Sequence, residues 1–208
     1  HKGEKVIEAQ LSAGYDSPSG FRTAFSKTIG CAPKGCTASP LMIEWIDTKL
    51  GPMMAICDDE SLYMLEFTVR KNMQRQLERL AKVQKRAIIP GRTKITDKIE
   101  KELQAYFAGN LHVFETPLSM TGTDFQKSVW KALCDIPFGV TQSYSQLAQS
   151  VGNEKAVRAV AGSNANNGLA LSVPCHRVIA KGGGLGGYAG GLDKKDWLIA
   201  HEKQYARA

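Results

Sequence analysis

The 208-residue chain has no apolar run approaching the ~20 residues that a membrane helix needs, and its first stretch, HKGEKVIEAQ, lacks the apolar core and cleavage pattern of a secretory signal. The expectation is a cytoplasmic protein with no membrane partner. A disulfide framework is missing too. The five cysteines, Cys31, Cys36, Cys57, Cys134 and Cys175, form an odd, scattered set, which reads as reduced thiols. A metal ligand set is also lacking: only Cys31 and Cys36 are close, with no histidine or second pair beside them. The glycine-rich run AKGGGLGGYAGG (180–191) matches G-x-G-x-x-G loosely, but no part of it both follows a strand and opens a helix, which argues against a dinucleotide site. Neither metal nor cofactor is expected.

What is present suits one or two domains plus an appendage, since 43% hydrophobic residues against 23% charged can bury a real core. Lys and Arg outnumber Asp and Glu by 27 to 20, for a net charge of +7, so the surface should attract polyanions. Charge by itself does not separate DNA from RNA or acidic lipid.

Residues 6–30 read as helix, turn, helix. Ser17 suits an N-cap, Pro18 the first helical position, and Phe21, Phe25 and Ile29 recur every four residues on one face. CAPKGCTASP (31–40) reads as a linker. From Leu41, apolar runs broken at Leu50-Gly51-Pro52 and at 58–61 predict three short antiparallel strands. Two amphipathic helices follow, NMQRQLERLAKV and ITDKIEKELQAYFAG, the second with Ile95, Ile99, Leu103 and Phe107 as its stripe and Gly109 as its stop. LHVFETPL (111–118) reads as a strand. TDFQKSVWKALCDIPFG then reads as a helix with Phe125, Val129, Trp130 and Leu133 on one face. A second helix-turn-helix runs from about Ser143, with its turn at Gly152-Asn153 and its second helix from about Glu154. That second helix carries mostly alanine and glycine, with Lys155 and Arg158 as its long side chains, which suits close approach to a narrow groove more than reading of base edges.

Cys175 stands in SVPCHRV, after an apolar ALSV (170–173) read as a buried strand and a proline that fixes the backbone. A lone thiol is most often packing material, but as a thiolate it is a nucleophile, and it then needs a base. His176 is the candidate, acting through a bridging water because successive extended residues point to opposite faces. Glu202 or Asp196, both in DKKDWLIAHEK, could orient the imidazole, and spacing chooses neither. His112 and His201 read as surface residues.

PCHRV, together with SYSQLA, KAVRAV, an asparagine eight residues before the cysteine, GGYAGGL and KKDWLIAHE, resembles the active-site half of O6-alkylguanine-DNA alkyltransferases over about residues 42–202. The segment AGYDSPSGFRTAFSKTIGCAP resembles the second helix-turn-helix of AraC/XylS-type regulators, so the nearest pattern is the C-terminal part of the bacterial Ada type. The four-cysteine zinc domain that leads that type is not among these residues, and the chain opens inside a helical pattern, as a segment of a longer protein would.

The resemblance implies an α/β fold. A small three-stranded antiparallel sheet with helices, ribonuclease H-like (41–120), would be followed by a mostly helical, winged-helix-like catalytic and DNA-binding domain (121–208). The helix-turn-helix remnant (1–33) and linker (34–40) would precede them. It makes Cys175 the alkyl acceptor, His176 its water-relayed base, Glu202 the residue holding the histidine, and Tyr144 a donor to the guanine ring. Arg158 becomes the finger that replaces a flipped nucleotide, Asn167 a hinge brace, and Val178, Tyr188, Ala189, Gly190 and Trp130 the substrate pocket. The small residues around Tyr188, with Ala170 and Ala189 where many relatives have proline and serine, predict a roomy pocket. The implied reaction is single and irreversible transfer from O6-alkylguanine, and from O4-alkylthymine, in double-stranded DNA by a monomer. A regulator role would belong to a longer protein. The rival readings are a non-catalytic lesion binder, a transcription factor and a Cys-His hydrolase.

Overall fold

The computed structural model describes residues 39–70 and 73–206; the helix-turn-helix expected over 1–33 lies outside them. They form two compact units. The first comprises the described residues up to Gln104 with Thr116–Ser119, and the second Ala105–Glu115 with the chain from Met120. A linear cut at 120 takes no account of this exchange of segments.

In the first unit, β1 (Leu41–Ile46), β2 (Met53–Cys57) and β3 (Leu62–Phe67) are the expected antiparallel strands. A fourth strand corrects the three-stranded expectation: β4 (Ile88–Pro90) pairs in parallel with β1, giving the order β3-β2-β1-β4. Three residues are too few to show a period, and Pro90 fits only because β4 is an edge. Helix α1 (Met73–Gln84) sets Leu77 and Leu80 into a core with Leu41, Ile43, Met54, Ile56, Met64 and Ile88. The next helix, α2 (Lys94–Phe107), buries Ile95, Ile99 and Leu103 as its stripe requires. Its last buried position is Tyr106, not Phe107, because 3.6 residues per turn carries the stripe back from i+4 to i+3.

In the second unit, α3 (Asp124–Cys134) opens on a capping box between Thr123 and Gln126 and buries Val129, Trp130 and Leu133. Ser143 and Gln146 form another capping box at α4 (Tyr144–Ser150). After a turn at Val151-Gly152-Asn153, a 3₁₀ turn (Glu154–Ala156) leads into α5 (Val157–Ala165), and α6 (Leu192–Tyr205) follows the glycine-rich loop. β5 (Gln142–Ser143) pairs in parallel with β6 (Val178–Ile179).

Two strand expectations fail. LHVFETPL contributes only a bridge between Leu118 and Leu62. ALSV is a run of turns in which Leu171 takes φ 69°, a value strands exclude. Asn167 supplies the bonds that a sheet would have made, donating from Nδ2 to the Val173 carbonyl (2.8 Å) and accepting from the Leu169 N–H (3.0 Å).

Candidate active site

Cys175 stands at the start of a 3₁₀ turn (Cys175–Arg177), not at a strand end. Three anchors hold that turn. Asn167 ties down the preceding loop, Asn164 of α5 donates to the Cys175 carbonyl at 3.3 Å, and the β5–β6 pairing sets Ser143, the cap of α4, opposite Ile179. The thiol-bearing residue is only 6% exposed and His176 not at all.

Glu202 gathers donors from four residues in three segments. Its Oε1 accepts from His176 Nε2 (2.7 Å), Tyr106 Oη (2.8 Å) and Arg177 Nη2 (3.0 Å). Its Oε2 accepts from Arg177 Nε (2.8 Å) and the Gly139 N–H (3.1 Å). Gly139 holds φ 78°, and a Cβ there would come within 2.5 Å of the Ala206 Cβ, so only glycine brings this N–H to the carboxylate. Burial works to raise the Glu202 pKa, but the bonds and charges of His176 and Arg177 outweigh it and hold the carboxyl well below the usual range. Burial pushes His176 below its ordinary 6.5 against the pull of Glu202, which leaves a neutral ring. A carboxylate can only accept, so Nε2 carries the proton and Nδ1 is a bare acceptor; no protein group among the described residues bonds it. Of the two carboxylates that spacing left open, Glu202 bonds the imidazole, while Asp196 is exposed.

Tyr144 opens α4, and burial raises its pKa, with a bond to Asn164 opposing and Cys175 adding to the rise, so the phenol keeps its proton. A Cβ on Gly186 (φ 67°) would lie 3.1 Å from the Tyr144 ring; the glycine-rich loop therefore packs on Tyr144 there, where small side chains suggested open space. Val178 is buried and its carbonyl accepts from Lys195 Nζ at 2.5 Å; the same ammonium reaches the Gly187 carbonyl at 3.2 Å. Tyr188 and Ala189 are partly buried and Gly190 is buried. Arg158 is exposed on the first turn of α5, alongside exposed Ala159 and Gly162. Trp130 gives its indole N–H to the Ser163 carbonyl (2.9 Å), in the packing of α3 and α5. His201, expected at the surface, is buried, bonded to the Tyr106 carbonyl (2.8 Å) and stacked on Trp197. His112 is exposed, stacked on Phe138. Among the described residues, buried polar atoms without a hydrogen-bond partner in the protein include Gln142 Oε1, Asn164 Oδ1, Ser172 Oγ and His176 Nδ1, all in the segments around Cys175. Such unmet capacity suits a polar ligand.

Residues 124–204 match the model of the 6-O-methylguanine DNA methyltransferase DNA-binding domain. A methylated-DNA–protein-cysteine methyltransferase of Methanosarcina barkeri is 40% identical over 166 residues, covering 78% of this chain and 97% of that protein. The chain belongs to the methylated-DNA–protein-cysteine methyltransferase family. A family member from Shigella flexneri is 39% identical over 165 residues, 78% of this chain and 95% of that one. The crystal structure of Mycobacterium tuberculosis OGT in complex with DNA superposes with a TM-score of 0.68 at 36% identity, over 79% of this chain and 94% of that chain. The match supports a mixed α/β fold with a small sheet and helices. Within the methyltransferase domain lie Tyr144, Arg158, Asn167, Cys175, His176 and Glu202, together with Asn164, Arg177 and Lys195, which sequence reasoning passed over. Arg177 could have been suspected inside PCHRV; Lys195, one lysine of a charged helix, carried no signal. Tyr106 lies outside the matched domain.

Proposed function

We propose that this protein repairs DNA by direct reversal, moving the alkyl group of O6-alkylguanine in double-stranded DNA, and of O4-alkylthymine, irreversibly onto Cys175 Sγ. One observation carries the reading: a buried cysteine adjoins a histidine whose Nε2 is committed to a carboxylate and whose Nδ1 is free to accept. In the reaction the thiol proton passes through water to His176 Nδ1, and sulfur attacks the alkyl carbon in line with the bond to oxygen. The C–O bond breaks as the C–S bond forms. The Tyr144 phenol donates a hydrogen bond to the departing guanine, which takes up a proton from solvent as His176 gives one back, and the thioether remains on the protein, so each molecule acts once. Glu202 holds the imidazole, Asn167 braces the loop, and Val178, Tyr188, Ala189 and Gly190, with Trp130, line the pocket. The target nucleotide turns out of the duplex while Arg158 fills its place and the small residues of α5 face the minor groove.

The finer architecture fits this reading. The order β3-β2-β1-β4, with β4 parallel to β1, supports a ribonuclease H-like first domain, and α4-turn-α5 beside the β5–β6 pair supports a winged-helix-like second one. The working protein is a cytoplasmic monomer; no described helix is long and apolar enough to cross a membrane.

Mixing the protein with duplex DNA holding O6-methylguanine should add one methyl group per molecule, on the peptide containing Cys175. Repeated turnover, or a methyl on Cys134, would overturn the mechanism. Cys175→Ser should end transfer and keep DNA binding, which separates chemistry from mere lesion binding.

A further inference from the structure

Tyr106 is fully buried at the end of α2, outside the matched methyltransferase domain, and its hydroxyl donates to Glu202 Oε1, the same oxygen that accepts from His176 Nε2. The surrounding rings fix its angle. Phe107 and Phe138 meet it edge-on at 5.4 and 6.0 Å, and Phe114 and His201 lie at 5.4 Å. The carboxylate has about four lone-pair sites and receives five donors, so the donors compete.

We infer that Tyr106 is a positioning residue for the proposed transfer, holding the Glu202 carboxylate by its Oε1 and limiting how strongly that oxygen pulls on His176. The inference rests on the proposed function. Glu202 cannot be replaced by a stronger acceptor without making the imidazole more basic, and an imidazole that is already protonated cannot take the thiol proton. Tyr106 offsets part of the carboxylate's charge with a donor that burial keeps protonated. The groups facing His176 are Glu202 and Lys195 of α6, Arg177 of its own turn and the neighbouring Cys175; those facing Tyr106 are Glu202, Arg177 and His201. Removing the phenolic donor leaves more negative potential at the site, which raises the pKa of both the imidazole and the thiol. The acid limb of the rate profile must then move to higher pH, whichever group loses its proton first.

The test is Tyr106→Phe, which keeps the ring and removes only the hydroxyl. The rate of methyl transfer from duplex DNA to Cys175 is followed against pH, and the His176 Nε2 proton by NMR. The acid limb should rise by about half a pH unit and the Nε2 proton should move downfield as its bond to Glu202 tightens. A ring-fluorinated tyrosine placed only at 106, a stronger donor, should move both readouts the other way, and it decides the matter if the phenylalanine variant does not fold. An acid limb and Nε2 resonance unmoved by both changes would overturn the role of Tyr106. Wild-type protein that leaves Cys175 unmethylated strikes the proposed function instead, so the two failures are distinct.

Discussion

Glu202 is 1% exposed and balances Arg177, whose guanidinium also donates to the Ile136 carbonyl and lies over the Phe138 ring. Glu202→Gln would leave that cation buried without a counter-charge, at a cost of about 3–5 kcal/mol in urea unfolding; a cost below about 1 kcal/mol would mean that water enters the site. The pH dependence has a definite sign. The folded Glu202 pKa is depressed, so its stabilisation is complete above its ordinary 4.5 and is lost as pH falls from there. The folded His176 pKa is also depressed, so below 6.5 the unfolded chain takes up a proton that the folded one refuses. His176 makes acid unfolding steeper from about pH 6.5 downward and Glu202 adds to the slope below about pH 4.5, so His176→Gln should flatten the upper part of that slope. Lys195 acts at the other end. Burial lowers its pKa from 10.5 to about 8, so the folded state gains stability as pH rises between these values, and Lys195→Met should remove that gain.

At the level of elements, the capping box of Ser143 links the β5–β6 pair to Tyr144, the first residue of α4. Ser143→Ala should cost about 1 kcal/mol in thermal unfolding and slow alkyl transfer, because the helix start that carries Tyr144, the proposed donor, frays. On α5, Arg158→Ala should slow repair of duplex DNA far more than reaction with free O6-alkylguanine base, since the finger role exists only where a nucleotide must be replaced. Equal losses on both substrates would remove that role. Periodicity made the helices legible: Ile95, Ile99 and Leu103 mark α2, and Val129, Trp130 and Leu133 mark α3. It misled where an apolar run had no strand to pair with, as at ALSV, and it was silent for β4, whose three residues are a strand only because β1 is beside them.

For the whole molecule, a net charge of +7 gives binding to DNA a large counterion-release component. Raising salt from about 50 to about 200 mM should weaken duplex binding roughly a hundredfold if about four phosphates are neutralised. Filter binding or fluorescence anisotropy across that range measures the slope, and a flat response would mean that the basic residues lie away from the duplex. Arg158→Ala should lower the slope by about one contact.

The sequence by itself determined the chemistry proposed for the centre, because Pro174, Cys175 and His176 are neighbours in the chain and a local motif needs no fold to be read. It also determined the helices that carry the site, through their apolar stripes and caps. The company that the centre keeps was decided only by tertiary structure. Asp196 and Glu202 stand six residues apart on α6, about 1.7 turns, and nothing in their spacing says which turns inward. Glu202 does, because Tyr106 and Gly139 meet it from 96 and 63 residues away. Hydrogen bonds over such separations leave no period in a sequence: each partner looks like an ordinary helix or loop residue until packing excludes water and every buried donor must find an acceptor.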